Sequence, residues 1–199
     1  MNWININLNR YVPIESTDNT GTSIHLMFSP VPIPVGTNEN EYNNEDTRVV
    51  FVKVNKYPTL EEARLILKNL IIEYDKSDEV NLFKYNNYTY WFDKETRLAL
   101  KYKFEVLKES NETIGTIWFG SKMYNVDIDN ILAFLKELEL YAMNCNDITH
   151  QHINEIKELD NLEDILMYDI TKDYPEHISM NNTVFKAEDE EEIIEEENN

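Results

Sequence analysis

One cysteine, Cys145, stands among 199 residues, so neither an intrachain disulfide nor a cysteine metal cluster can form. Packing alone must hold the fold. Glycine is nearly as scarce, four in all, which removes both the Gly-rich loops that cradle phosphates and the Gly-x-Ser-x-Gly elbow of hydrolases. Bases are outnumbered, 18 Lys and Arg against 38 Asp and Glu, for a net charge of −20. That balance argues against nucleic acid, whose phosphates need Lys/Arg footprints, and against anionic membrane surfaces. Eight of the acids fall between Glu188 and Glu197 with no base among them, which still leaves −12 elsewhere. No apolar run approaches the roughly 18 residues of a membrane span. Residues 1–7 lack the basic start and apolar stretch of a signal peptide, so no leader is expected there.

What is present suits burial. Hydrophobic residues make up 42% and aromatics 12%, with twelve Tyr and three Trp, enough for a sizeable core. Ile4, Ile6 and Leu8 alternate with asparagines, the period-two mark of a half-buried strand. Residues 22–28 and 48–54 are two more β-branched strand candidates. Between them Pro30, Pro32 and Pro34 deny three backbone donors and favour extended or polyproline backbone. Thr59 with Glu62 reads as a capping box, after which Leu60, Ala63, Leu67, Leu70, Ile71 and Tyr74 share one helical face.

The middle of the chain repeats itself. Residues 80–93 and 114–127 each read as a β-hairpin ending on an aspartate that starts a helix, and a shift of 34 superposes them. Asn86-Asn87 suits a type I′ turn and Gly120-Ser121 a type II′ turn. Asp93 would cap a helix over 94–108, with Leu100, Phe104 and Leu107 on its apolar face. Asp127 would open the longest helix, either continuous to Leu159 or broken near Asn146, followed by a short helix from Asp160-Asn161 to Tyr168. The fold class expected is α+β, a helix–hairpin–helix–hairpin–helix module of two ββα-like units preceded by a β-rich, Pro-containing N-terminal region. The expected divisions are an arm or small domain over 1–57 for attachment or oligomerisation, a globular domain over 58–178, and an acidic, disordered tail over 179–199.

No catalytic, cofactor or metal residues emerge. His150 and His152 point about 200° apart on a helix and cannot share an ion, so a surface His150 and a partly buried His152 are expected. Asp127 and Asp129 lack the glycine and closing glutamate of a calcium loop. Cys145 lies on an apolar helix face, where a thiol is inert. The aromatic strands stand out instead. Tyr88, Tyr90, Trp91, Trp118 and Tyr124 are the candidate partner-binding surface, with ordinary core as the competing account.

Residues 59–178 resemble a family of uncharacterised domains in phage and prophage proteins of Bacteroides-type hosts, crAss-like and related tailed phages among them. The residues that carry the resemblance are 74–83, Tyr90-Trp91-Phe92-Asp93 with Arg97, Ile117-Trp118-Phe119, 138–142 and Asp147-Ile148-Thr149. It implies no activity, no cofactor and no inherited site residue. It implies a non-enzymatic virion structural protein, a head- or tail-fibre component or a fibre-attachment protein. Its partners would be phage capsid or fibre proteins and further copies of itself, a trimer being one option, with neither nucleic acid nor membrane. The expected location is the virion, and the host cytoplasm during assembly. A fibre-assembly chaperone or adaptor is the second expectation, and a small carbohydrate-active enzyme the third.

Overall fold

The structure, a computed structural model, describes residues 1–7, 11–16, 24–33, 46–85, 88–119, 122–180 and 184. Over these it is a mixed α+β protein with a β-rich N-terminal region and four helices. It divides into two compact units: Met1–Val80 with Cys145–Tyr174, and Asn81–Asn144 with the chain from Pro175 on.

The first unit holds an antiparallel sheet ordered β1-β4-β3-β2. Its strands are β1 (Trp3–Asn7), β2 (Ile14–Ser16), β3 (Ile24–Pro32) and β4 (Asp46–Val54). The Ile/Asn alternation does form β1, and the β-branched runs form β3 and β4. Pro30 and Pro32 depart from expectation, because both lie inside β3. A register shift between Phe28 and Val31 takes Pro30 out of the hydrogen-bond ladder that proline cannot serve, while Pro32, opposite Thr47, is the last residue of the strand. Ser29, within this shift, has a φ of 51°, and its Oγ accepts from the Ile170 amide at 3.0 Å. β2 has no forewarning in the sequence. It is three residues long and takes its register from β3, Ile14 opposite Leu26.

Helix α1 (Leu60–Asp75) begins at the expected capping box. The Glu62 amide donates to Thr59 Oγ1 at 3.3 Å, and the Thr59 amide donates to the Glu62 carboxylate at 2.8 Å. The helix buries Ala63, Leu67, Leu70, Ile71 and Tyr74, each fully buried Leu or Ile contributing about 1.5–3 kcal/mol. The Tyr74 ring meets Trp3 edge-on at 6.4 Å and Tyr174 at 5.3 Å. Arg48 lies 4.1 Å over the Trp3 ring and donates to Glu79 at 2.6 Å. These contacts explain why no division falls after residue 57: the sheet, α1 and residues 145–174 share one core. The expected boundaries at 57/58 and 178/179 are therefore not those of the compact units.

The second unit follows the order β5 (Phe83–Tyr85), β6 (Tyr88–Tyr90), α2 (Lys94–Glu109), β7 (Ile114–Phe119), β8 (Lys122–Asp127) and the start of α3 (Ile128–Glu155). β5 pairs β6 with Phe83 opposite Tyr90, and β7 pairs β8 with Ile117 opposite Tyr124. The expected turns at 86–87 and 120–121 lie outside the described residues. The Thr96 amide donates to the Asp93 carboxylate at 2.7 Å, a bond that also holds this carboxyl below the usual range. The Asn130 amide donates to Asp127 at 3.0 Å. Both aspartates thus stand at helix starts.

α3 runs unbroken through Asn146, as in the continuous option, but ends at Glu155, short of Leu159. Its residues to Asn144 belong to the second unit and those from Cys145 to the first. α4 (Leu162–Met167) follows, capped by Asn161. Met180 and Val184, inside the stretch expected to be tail, are buried in the second unit's core beside Phe83, Phe104, Ile131 and Leu138. Lys84 fixes this return: its amide donates to the Ile178 carbonyl at 3.0 Å, and the Met180 amide donates to the Lys84 carbonyl at 2.7 Å. The remainder of the expected tail lies outside the described residues.

Candidate interaction surfaces

Each strand of the second unit sends alternate side chains to opposite sides. On β7–β8 the inner side carries Ile117, Phe119 and Val126, all buried. On the outer side Trp118 and Met123 are direct cross-strand partners, 60% and 48% exposed. On β5–β6 the sequence places tyrosines and phenylalanines on one side, and they converge. Tyr90 contacts Phe83 at 5.9 Å, Phe119 at 4.9 Å and Tyr88 at 6.4 Å. Tyr124 meets Phe119 edge-on at 5.6 Å. Burial, with Tyr124 and Tyr88 nearby, raises the Tyr90 phenol's pKa.

The five expected surface residues therefore part company. Tyr88, Tyr90 and Tyr124 are linked through Phe119, with Tyr88 exposed and the other two half-buried against the core. Trp91 is half-buried against Tyr141 at 6.2 Å and Arg97 at 5.3 Å. Trp118 stands on the opposite side of its hairpin from Tyr124.

Arg97 is the functional-looking residue that sequence patterning does not mark, because a charge on α2 reads as solvated. It is buried, donating from Nε to Glu139 at 2.6 Å and from a terminal nitrogen to the Phe92 carbonyl at 2.7 Å. The guanidinium, beside Trp91, thus ties Glu139 of α3 to the backbone at Phe92. Arg97 and Glu139 face a groove of about 570 Å³ between α2 and α3. Leu132 and Leu135 line it with Leu98 and Leu140, and Lys101 and Lys136 also border it.

A second polar cluster lies in the first unit, around a histidine that is more deeply buried than expected. His152 is 1% exposed, while His150 is exposed as anticipated. Its Nε2 is 3.0 Å from the Lys172 carbonyl, which can only accept, and its Nδ1 is 2.6 Å from the Tyr168 hydroxyl. That hydroxyl is also 2.7 Å from Glu155, so imidazole and carboxylate compete for one phenolic proton. Burial holds the His152 pKa below its ordinary value. The Lys172 ammonium, then Gln151 and Tyr168, hold Glu155 down at about 2. Tyr174 stacks on the imidazole at 5.6 Å. The cluster ties the last turns of α3 to residues 168–174. Cys145 is buried nearby in sequence on the same helix, and among the described residues no three His, Cys, Asp or Glu gather as metal ligands.

No helix among the described residues is long and apolar enough to cross a membrane. No protein-family model matches the chain, and no curated protein or solved structure matches it either.

Proposed function

We propose that this chain is a non-enzymatic assembly protein of a tailed phage, a head- or tail-fibre component or fibre-attachment protein of the virion. The observation that carries the reading is the outer side of β7–β8. There a tryptophan and a methionine are held out to solvent on a hairpin whose inner side is already filled. A large aromatic displayed on a rigid ribbon is what a partner surface needs, and exposed Trp is otherwise unfavourable. The buried ionisable side chains support the same reading, since Arg97 and His152 are both matched to partners within the fold. The phage assignment itself comes from the resemblance of residues 59–178.

In this reading residues 81–144 are a duplicated ββα unit. The pairs Phe83–Tyr90 and Ile117–Tyr124 are 34 positions apart, as are the first residues of α2 and α3. The attachment role expected of residues 1–57 falls to the sheet of the first unit. The acidic balance steers the protein toward protein partners and away from nucleic acid.

Mass spectrometry of purified virions tests this, with unassembled lysate as comparison. The chain should be present in virions at fixed stoichiometry, and Trp118→Ser should reduce its incorporation. Absence from virions removes the reading, and co-purification with unassembled fibre protein alone would establish the chaperone in its place.

A further inference from the structure

We propose that β5 is a strand-acceptor edge, and that the segment seated on it, Ile178 to Met180 with Val184, is exchanged between two copies of this chain to form a closed dimer. What the acceptor takes is visible in what it holds. The Lys84 amide donates to the Ile178 carbonyl and the Met180 amide to the Lys84 carbonyl, so Lys84 and Ser179 form an isolated parallel bridge. Alternate side chains of an extended segment share a side. Ile178 and Met180 accordingly pack on the core of the second unit, while Ser179 is exposed. Met180 and Val184 are buried there with Phe83, Phe104, Ile131 and Leu138. Every other member of that core cluster lies within the contiguous stretch 81–144; these two arrive from outside it.

The connection favours exchange. Tyr174, the last residue of the first unit, is held within it. Its hydroxyl lies 2.8 Å from Thr149 Oγ1, and its ring packs on His152 at 5.6 Å and on Tyr74 at 5.3 Å. His177 meets Tyr141 of the second unit at 6.4 Å. Pro175 and Glu176 stand between these two posts. A hinge that short, whose proline biases Tyr174 towards extended backbone, suits an arm that reaches outward, and short hinges invite swapping. The occupant is a second copy because it carries the same Ile-Ser-Met and the same valine at the same spacing from the same hinge. Exchange rebuilds each backbone bond and each buried contact, and two exchanges close the pair with neither acceptor left empty. The bridge is one residue pair long, so two backbone bonds release it. The inference goes beyond the virion reading and uses none of its residues, so the two fail separately.

Crosslinking of the full chain tests it. Cys145 is buried, so a cysteine introduced at an exposed site is the reactive one, with wild type as control. Lys84→Cys and isotope-labelled Ser179→Cys, both at exposed positions, are incubated together at about 0.15 M salt to screen repulsion between the acidic chains, then oxidised. Disulfides joining labelled to unlabelled chain should exceed those from Lys84→Cys mixed with Glu112→Cys, an exposed site away from the bridge, by about tenfold or more. Wild type should sediment as a dimer. About six Gly/Ser residues inserted after Pro175 should shift it to monomer, because a longer hinge lets each arm reach its own β5. The insertion replaces no residue, so sedimentation decides the matter even where circular dichroism shows that a cysteine variant fails to fold. A monomeric wild type, a three-fold assembly, crosslinking no greater than the Glu112→Cys control, or a dimer indifferent to the insertion overturns the proposal. A swapped dimer that is absent from virions leaves it standing and removes the virion reading instead.

Discussion

Replacing Gly115 by alanine adds a single methyl group, yet the structure leaves no room for it. Gly115 lies buried on β7, where a Cβ would stand 2.6 Å from Phe104 Cε1 and 3.1 Å from Leu107 Cδ1. Carbon atoms prefer about 3.5–4.0 Å. Phe104 is fully buried, so its ring has nowhere to swing, and α2 must move off the hairpin or the strand must bend. Overpacking of this kind costs about 1–3 kcal/mol. Alanine in a strand recovers about 0.5–1 kcal/mol of the conformational entropy that glycine loses. The net expectation is a loss of about 1–2 kcal/mol for the second unit. Urea unfolding followed by tryptophan fluorescence in a Trp3→Phe background reports on that unit, because Trp91 and Trp118 both lie in it. A second variant sharpens the test: Phe104→Leu withdraws the ring edge. The double variant should be less damaged than the sum of the singles by about 0.5–3 kcal/mol. Unchanged or raised stability in Gly115→Ala, or additive losses in the pair, would refute the packing of α2 on β7 described above.

Thr59→Ala should destabilise the first unit by about 1 kcal/mol, through loss of one capping bond at the start of α1, measurable by urea unfolding. Arg97→Met keeps the length and removes the donors to Glu139 and the Phe92 carbonyl, so a loss of about 2 kcal/mol is expected in the same assay; neutrality would show that the pair is incidental. Acid should weaken the first unit over a defined window. The His152 pKa is lowered from 6.5 in the folded chain, so its contribution is complete above that pH and declines as pH falls below it. Glu155, lowered from 4.5 to about 2, contributes above 4.5 and loses that contribution as pH falls toward 2. Both act in one direction, and NMR of the His152 ring with hydrogen exchange at the Ile170 amide would follow them. A midpoint above 6.5, or protection that rises in acid, would contradict the burial described for this cluster.

What was legible in the sequence is local. Thr59, Asp93 and Asp127 mark helix starts because a cap needs only a side chain and an amide three residues on. The alternation of Ile4 and Ile6 and the spacing of Leu67, Ile71 and Tyr74 likewise specify a face without reference to the rest of the chain. Features that depend on distant partners were illegible. β2 exists because β3 offers it a ladder, and Pro30 fits a strand because the register shifts between Phe28 and Val31, with Pro32 at the strand's end. Arg97 is buried by Trp91 and Glu139, 42 residues further on in the latter case. His152 is enclosed by a tyrosine and a carbonyl that arrive after α4. Five aromatic residues nominated together turned out to occupy different sides of two hairpins, since alternation fixes opposite faces but not which face meets the core.

The path of α3 has a consequence for how this protein is made. The sheet and first helix emerge from the ribosome early, but their core is completed by residues 145–174, and the hairpin unit waits for Met180 and Val184. Neither half of the molecule can therefore mature while translation is still in its middle third. A nascent chain in that interval holds Phe83 without Met180 and Val184, which complete its core. Stop codons placed anywhere before the last twenty or so codons should yield insoluble product and not a shorter working protein.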